Sequence, residues 1–281
     1  MILLFKILPI RFISKVTGIL ADLNLPKCLI KPLLSLYVKF FKVNIDEMIH
    51  PISHYSTFND FFTRSINLSS RPISPDPNII ISPVDGTVVE YGNIINDKAL
   101  QVKGVAYSIF ELIINNDYSK RFLNGHFITI YLSPKDYHRI HIPYDGKSIA
   151  VEYNRGKLYP VNNIGLYKIK NLFVVNERLT TFFNTSFGLT ALVKVGATNV
   201  GRIKTVYPLP WTKPEMKKKS LFSKLNNLSY KRGDELARFE LGSTIILLFE
   251  KDKIDFLETL KSGDSLKMGQ SIAQIKNPSA K

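Results

Sequence analysis

The sequence predicts an α+β protein in which N-terminal amphipathic helices cap a β-rich body. Between Ile10 and Val43, apolar residues recur at helical spacing. Beyond Ile79 the chain breaks into short runs of branched and aromatic residues bounded by Gly, Pro, Asn and Asp, the pattern of strands and turns. Between the two, Arg71-Pro72-Ile73-Ser74-Pro75-Asp76-Pro77 is too rich in proline to continue either pattern. The expected division is therefore a helical segment, residues 1–70, and a β-rich domain, residues 71–281.

In the first predicted helix Ile10, Ile13, Val16, Leu20 and Leu23 share a stripe, with Arg11 and Lys15 off it. Asn24-Leu25-Pro26 interrupts the pattern. The second helix carries Leu29, Ile30, Leu33, Leu34, Tyr37, Phe40 and Phe41, surrounded by Lys27, Lys31, Lys39 and Lys42. Asp22 is the one acidic residue in this stretch. An apolar face with a cationic flank is what an in-plane membrane helix needs. It equally describes a helical hairpin packed on a core with its lysines in water, and these residues do not separate the two. No membrane-crossing helix is expected: Ile2-Leu3-Leu4-Phe5 is broken by Lys6, Pro9 and Arg11, far short of roughly 18–20 apolar residues. Nor is a signal peptide, since no basic residue precedes that run and no small-residue cleavage site follows it. Thr57 to Arg64 reads as a buried amphipathic turn of helix that docks the cap onto the body.

In the body, Ile79-Ile80-Ile81 leads into Ser82-Pro83-Val84-Asp85-Gly86-Thr87-Val88-Val89, a strand, an Asp-Gly turn and a second strand. Lys261 to Ile272 repeats that style around Gly263-Asp264 and Met268-Gly269. Both pieces resemble segments of the hammerhead-like barrel-sandwich folds that carry biotin or lipoyl groups, which gives the body a barrel-sandwich-like character. A carrier lysine is not expected, because Lys267-Met268 reverses the usual order and lies too near the end. Further strands are expected at His126 to Leu132, Leu172 to Val175, Thr180 to Phe183, Leu189 to Val195 and Ala237 to Phe249. Pro208 to Arg232 is basic and aperiodic and reads as a mobile loop.

The net charge of +15 and pI near 9.7 point to a negative partner: nucleic acid, an anionic bilayer or a phosphorylated substrate. No aromatic-basic RNA motif or helix-turn-helix pattern accompanies the charge, so nucleic acid is not expected. The single cysteine, Cys28, excludes an intrachain disulfide and a Cys-rich metal site, and no metal is expected.

Two stretches hold candidate chemistry. In Phe239-Glu240-Leu241-Gly242-Ser243-Thr244-Ile245 a glycine interrupts a strand pattern, which calls for a bulge or the close approach of another group. The five histidines are His50, His54, His126, His138 and His141. His138 and His141 lie three apart between Pro134 and Pro143. In a flat strand they would face opposite ways, so one site can use both only if the backbone turns. An incomplete zinc site, two structural histidines and an acid–base pair all fit these residues.

Read together, the stretches resemble the phosphatidylserine decarboxylase family. Leu241-Gly242-Ser243-Thr244 resembles its LGST signature, Tyr137-His138-Arg139-Ile140-His141-Ile142-Pro143 its Y-H-R-x-H-x-P motif, and Ser82-Pro83-Val84-Asp85-Gly86 its S-P-x-D-G motif. Phe58 to Arg64 (F-x-x-F-F-x-R), Asn176-Glu177-Arg178-Leu179 and Val195 to Gly201 also match in order. The resemblance thus runs from about Phe58 to Gly269. Ala237 departs from it, standing where many members have glycine.

The resemblance implies a bacterial, membrane-associated enzyme that cuts itself between Gly242 and Ser243 into a β chain (1–242) and an α chain (243–281). Ser243 would become a covalent pyruvoyl group, the only cofactor. Asp85, His141 and Ser243 would form the self-processing triad, and His138 would later protonate the decarboxylated carbon. The implied reaction turns phosphatidylserine into phosphatidylethanolamine and CO2. The two chains would stay together as a heterodimer, paired again as a homodimer, peripheral on an anionic cell membrane at its cytoplasmic side. That role would tip the cationic helices toward membrane contact. The phosphate-binding residues are not legible, Arg139, Lys135 and Arg202 being merely basic candidates. Alternatives are an inactive membrane-binding homologue and a decarboxylase of a different seryl lipid.

Overall fold

The computed structural model describes residues 10–102, 104–198, 202–240 and 243–276. The cap begins with α1 (Ile10–Ala21) and α2 (Lys27–Phe41), divided at Asn24-Leu25-Pro26 as the pattern predicts. Lys42 ends α2 in the left-handed conformation, and the Val43 N–H reaches back to the Val38 carbonyl. α3 (Phe58–Phe62) is capped by the Thr57 hydroxyl, which accepts the Asp60 N–H at 3.0 Å. Ile30, Leu34, Val43, Tyr55 and Phe61 form a small core of their own. Tyr37, Val38 and Phe41 pack against it, but much of the apolar pattern faces outward: Phe12 is 65 %, Leu36 66 % and Phe40 75 % exposed, and Leu20 and Leu29 are exposed too. Among the described residues no helix is long and apolar enough to cross a membrane.

The body starts with β1 (Ile79–Ile81), β2 (Gly86–Asn93), β3 (Lys98–Val102) and β4 (Val105–Ser108). Next come β5 (His126–Leu132), β6 (Arg139–His141), β7 (Gly146–Asn154), β8 (Arg178–Thr185), β9 (Gly188–Gly196) and β10 (Arg202–Thr205). β11 (Ser220–Tyr230), β12 (Glu235–Glu240), β13 (Ser243–Phe249), β14 (Ile254–Phe256), β15 (Ser265–Leu266) and β16 (Ser271–Ile275) follow. The main sheet has eight antiparallel strands in the order β11-β7-β8-β9-β13-β5-β2-β15. Among the described strands it is open, with β11 and β15 at its edges, so the barrel-sandwich character does not extend to a closed barrel.

β13 runs between β5 and β9, and all seven of its residues are buried. That accounts for its unbroken apolar run, since a strand covered on both faces need not alternate. A second sheet, β10-β12-β6, sets the histidine segment beside the strand that approaches Ser243. Gly86 lets β2 pass close to β5: a Cβ there would lie 2.5 Å from the Tyr131 carbonyl oxygen.

Three expectations need correction. Ala237 to Phe249 is not one strand but parts of two, β12 and β13, which belong to different sheets. Gly242, the glycine of the expected cleavage bond, and Leu241 lie outside the described residues. Leu172–Val175 is a short helix, and four apolar residues carry too little periodicity to tell the two apart. Pro208 to Arg232 contains the eleven-residue strand β11, which pairs with β7. β11 lies at the sheet edge and is largely polar, so it lacks the apolar alternation that reveals inner strands.

Candidate active site

Ser243 opens β13, where it pairs with Leu132 of β5 and Gly196 of β9. It is fully buried, and its Oγ has no hydrogen-bond partner. Buried hydroxyls are normally bonded, because leaving one unpaired costs about 1–3 kcal/mol. The Ser243 hydroxyl, at the head of a strand in the middle of the main sheet, shares this unpaired state with Thr244 beside it and with Thr129, Thr180 and Thr190.

His138 is fully buried too, with its ring 4.0 Å from that of Phe62. Nδ1 lies 2.8 Å from the Asp136 carbonyl oxygen, which only accepts, so this nitrogen carries the proton. Nε2 is left with a free lone pair and no partner. Burial pushes the imidazole pKa down to about 3, against the opposing pull of the Asp136 carbonyl. The His138 carbonyl accepts the Phe239 N–H at 3.0 Å, which ties the residue to β12 just ahead of Ser243.

His141 is engaged at both ring nitrogens. Nδ1 donates to the Gly233 carbonyl at 2.7 Å, and Nε2 accepts from the Tyr137 hydroxyl at 3.0 Å. The turn in this segment falls at residues 134–136, ahead of both histidines: His138 directly precedes the strand β6 and His141 ends it. Burial again lowers the pKa, while the charges of Glu235 and Asp85 act the other way.

Asp85 is buried and bound elsewhere. Arg71 grips it through two bonds of 3.0 and 2.7 Å, the Met268 N–H donates at 2.8 Å and Lys267 Nζ lies 3.4 Å away. Arg71 also reaches Glu47 at 2.7 Å. Among the described residues no hydrogen bond joins Asp85, His141 and Ser243 to one another. The loop of Asp85 and the segment of His141 meet through the backbone, since the His141 N–H donates to the Pro83 carbonyl at 2.8 Å. The S-P-x-D-G loop also holds the C-terminal turn: the Ser82 N–H donates to the Gln270 carbonyl and the Gly269 N–H to the Ser82 carbonyl.

Beside Asp85 lies a cavity of about 250 Å³ lined also by Tyr137, Asp136, Arg64, Lys135 and Lys267; Ser243, His138 and His141 are not among its lining residues. Of the basic candidates, Lys135 lines it. Arg139 is instead paired with Glu235 at 2.8 Å, and the Arg202 side chain is outside the described set. The Asn176 to Leu179 motif is a brace. Asn176 Nδ2 donates to the Tyr159 and Gly196 carbonyls, and Arg178 donates to the carbonyls of Leu112, Val174 and Glu111. Sequence reasoning does not reach Arg71, Arg64 and the Tyr137 hydroxyl as site groups, although all three sit at the ends of segments that it singles out.

The family model of phosphatidylserine decarboxylase matches residues 58–274. The phosphatidylserine decarboxylase proenzyme of Brevibacillus brevis is 41 % identical over 242 residues, 85 % of this chain and 86 % of that protein. That of Pseudoalteromonas translucida is 40 % identical over 276 residues, 95 % of each chain, and that of Myxococcus xanthus 37 % identical over 272 residues, 97 % of each. The chain belongs to the phosphatidylserine decarboxylase family of enzymes.

Proposed function

We propose that this chain cuts itself between Gly242 and Ser243 and then converts phosphatidylserine to phosphatidylethanolamine and CO2. The observation that carries the reading is the buried Ser243 hydroxyl without a partner, with an unprotonated imidazole nitrogen on the segment bonded to β12, the strand that leads toward Ser243. In the first reaction Ser243 Oγ adds to the Gly242 carbonyl carbon and gives up its proton to a base. The Ser243 nitrogen then leaves that carbon and takes a proton, converting amide to ester. Loss of the Ser243 Cα proton expels the Gly242 carboxylate and leaves a dehydroalanine, and water then replaces its nitrogen, which departs as ammonia. The chain ends as 1–242 with a free carboxylate and 243–281 with an N-terminal pyruvoyl group. A pyruvoyl group supplies a ketone that draws electrons from the substrate carbon losing CO2.

The base is a histidine. In the triad carried by resemblance it is His141, supported by the charge of Asp85. For His141 to act, the Tyr137 hydroxyl must release Nε2. A second reading makes His138 the base, favoured by its free Nε2 lone pair and its fixed tautomer. Its low basicity makes proton transfer uphill, which a reaction performed once per chain tolerates. In the second reaction His138, shielded from water, is the candidate to pass to the decarboxylated carbon a proton that Nε2 first takes up from the substrate ammonium, since Nδ1–H is held by the Asp136 carbonyl.

The substrate is a bilayer lipid, and the exposed apolar residues of α1 and α2, flanked by Lys15, Lys31 and Lys39, support peripheral attachment to an anionic membrane on its cytoplasmic side. We further propose that the cap and the body act as two domains divided near residue 70, and that the processed heterodimer pairs into a homodimer. Intact-mass spectrometry of purified protein tests the chemistry. The reading expects two chains, the smaller lighter by one ammonia than simple hydrolysis would give. A single uncut chain after incubation with phosphatidylserine vesicles would refute it.

A further inference from the structure

A second cavity, of about 270 Å³, lies where the cap meets β6 and β12. Its walls include Tyr55 and Arg64 from the cap and Arg139 and Arg238 from the two strands, with the stacked rings of His50 and His54, 4.0 Å apart, also lining it. What sets it apart is a set of donors without acceptors. Arg64, which also lines the first cavity and lies over the Phe61 ring, is only 3 % exposed, and its Nη2 donates to the Lys135 and Asp136 carbonyls, but Nε and Nη1 have no hydrogen-bond partner. The hydroxyl of Tyr55, 6 % exposed, has none either, and nor does the buried Nε of Arg238. Arg139 is occupied by Glu235 and the Thr63 carbonyl, and Asp60, exposed, is the one carboxylate lining the cavity. A buried guanidinium with free N–H groups and no bonded carboxylate is costly unless an anion completes it.

We infer that this cavity binds a phosphate group, with Arg64, Arg238 and Tyr55 as its donors. Several separate donors around one space suit a group with three or four oxygens better than a planar carboxylate, and arginine forks match phosphate oxygens. The position of the cavity favours a phosphate carried by a lipid. Ser56, which lines it, accepts the N–H of Leu25 from the turn between α1 and α2, where Leu23 and Leu29 stand exposed. Ile49, beside His50, is exposed as well. A bilayer resting against those residues brings head groups to the mouth of the cavity. The inference uses the membrane side of the preceding reading and none of its chemistry.

The test is isothermal titration calorimetry of the full chain with monomeric dihexanoylphosphatidylglycerol, which has no serine to react, and separately with inorganic phosphate. Arg64 also holds two carbonyls of the active-site segment, so Arg238→Gln and Tyr55→Phe are the informative variants, each checked for an unchanged thermal midpoint. Arg238→Gln should weaken binding by roughly tenfold or more, the loss expected for one charge-assisted hydrogen bond, and Tyr55→Phe by less. Binding of the phospholipid but not of inorganic phosphate identifies a lipid phosphate site; equal, competing binding of both identifies a site for free phosphate. No binding of either, or binding that survives both variants unchanged, overturns the inference. Intact mass of the same samples reports cleavage at Ser243, so failure of the pyruvoyl reading is seen separately.

Discussion

At the scale of single residues, the site is defined by what its polar atoms do not touch. Ser243 Oγ makes no hydrogen bond, so Ser243→Ala removes a buried unpaired group and costs the fold nothing. The variant should stay uncut by intact mass while its thermal midpoint is equal to or above that of wild type, by at most about 1 kcal/mol of stability. A lost cleavage accompanied by a large fall in stability would instead make Ser243 structural. His138 gives a second expectation. Its folded pKa, about 3, lies below the ordinary value near 6.5, so the unfolded chain binds the extra proton between those values. Its contribution to stability is therefore fully present above pH 6.5 and is lost as pH falls toward 3. Burial of His141 and His126 adds in the same direction. Calorimetric melting should show a midpoint that falls from pH 7 to pH 4, with a shallower fall in His138→Gln. Because the same lone pair is available throughout the neutral range, cleavage by His138 would show no rate inflection near pH 6.5. Cleavage lost in His141→Gln but retained in His138→Gln would assign the base to His141.

At the scale of elements, β9 carries a cost that the sequence hides. Lys194 is fully buried in the main sheet, its Nζ donating to Thr181 Oγ1 at 2.7 Å and reaching the Leu192 carbonyl at 3.3 Å. Burial pushes its pKa down to about 7, against an ordinary value near 10.4. Between those values the unfolded chain holds more protons, so this residue makes stability rise with pH from about 7 to about 10. Lys194→Met, of similar length, should flatten that rise and stabilise the protein at pH 7, as measured by urea unfolding across the range. In the sequence Lys194 is one polar letter inside Leu189 to Val195, a run still read correctly as a strand because its neighbours are β-branched or apolar. β5 and β13 were legible for the same reason, and α1 and α2 because their apolar period persists for three turns or more. β11 was not, because an edge strand in water needs no apolar face. The site divides the same way. Asp85, His138, His141 and Ser243 stand in recognisable local motifs, whereas the partners they take do not. Asp85 meets Arg71 across 14 residues and Met268 across 183, and such pairings leave no periodic trace.

At the scale of the whole molecule, the cap and the cleavage site each make a demand on the rest of the fold. The cap leaves Leu36 and Phe40 uncovered, so Leu36→Asp with Phe40→Asp should abolish flotation with anionic vesicles while leaving the thermal midpoint unchanged; retained flotation would place membrane contact elsewhere. The proposed cleavage demands that the molecule survive a cut beside its central strand. After such a scission the segment 243–281 would still supply β13, paired residue for residue with β5 on one side and β9 on the other from Ser243 to Phe249. It also supplies β15 on β2 and β16 on β1, and its Met268 N–H holds Asp85. All the β13 side chains are buried, so withdrawing the strand would expose a core of Ile245, Ile246, Leu247, Leu248 and Phe249. Fully burying each such side chain is worth about 1.5–3 kcal/mol, and no gain in chain entropy from one broken bond approaches their sum. The two chains should therefore co-elute at the size of the intact protein in native chromatography and separate only in denaturant. Weakening the clamp at the far end by Asp85→Asn should lower the denaturant concentration at which they part, with β13 still holding them together in buffer. Spontaneous release of the small chain from wild type would mean that the sheet pairing around Ser243 does not outlast the cut.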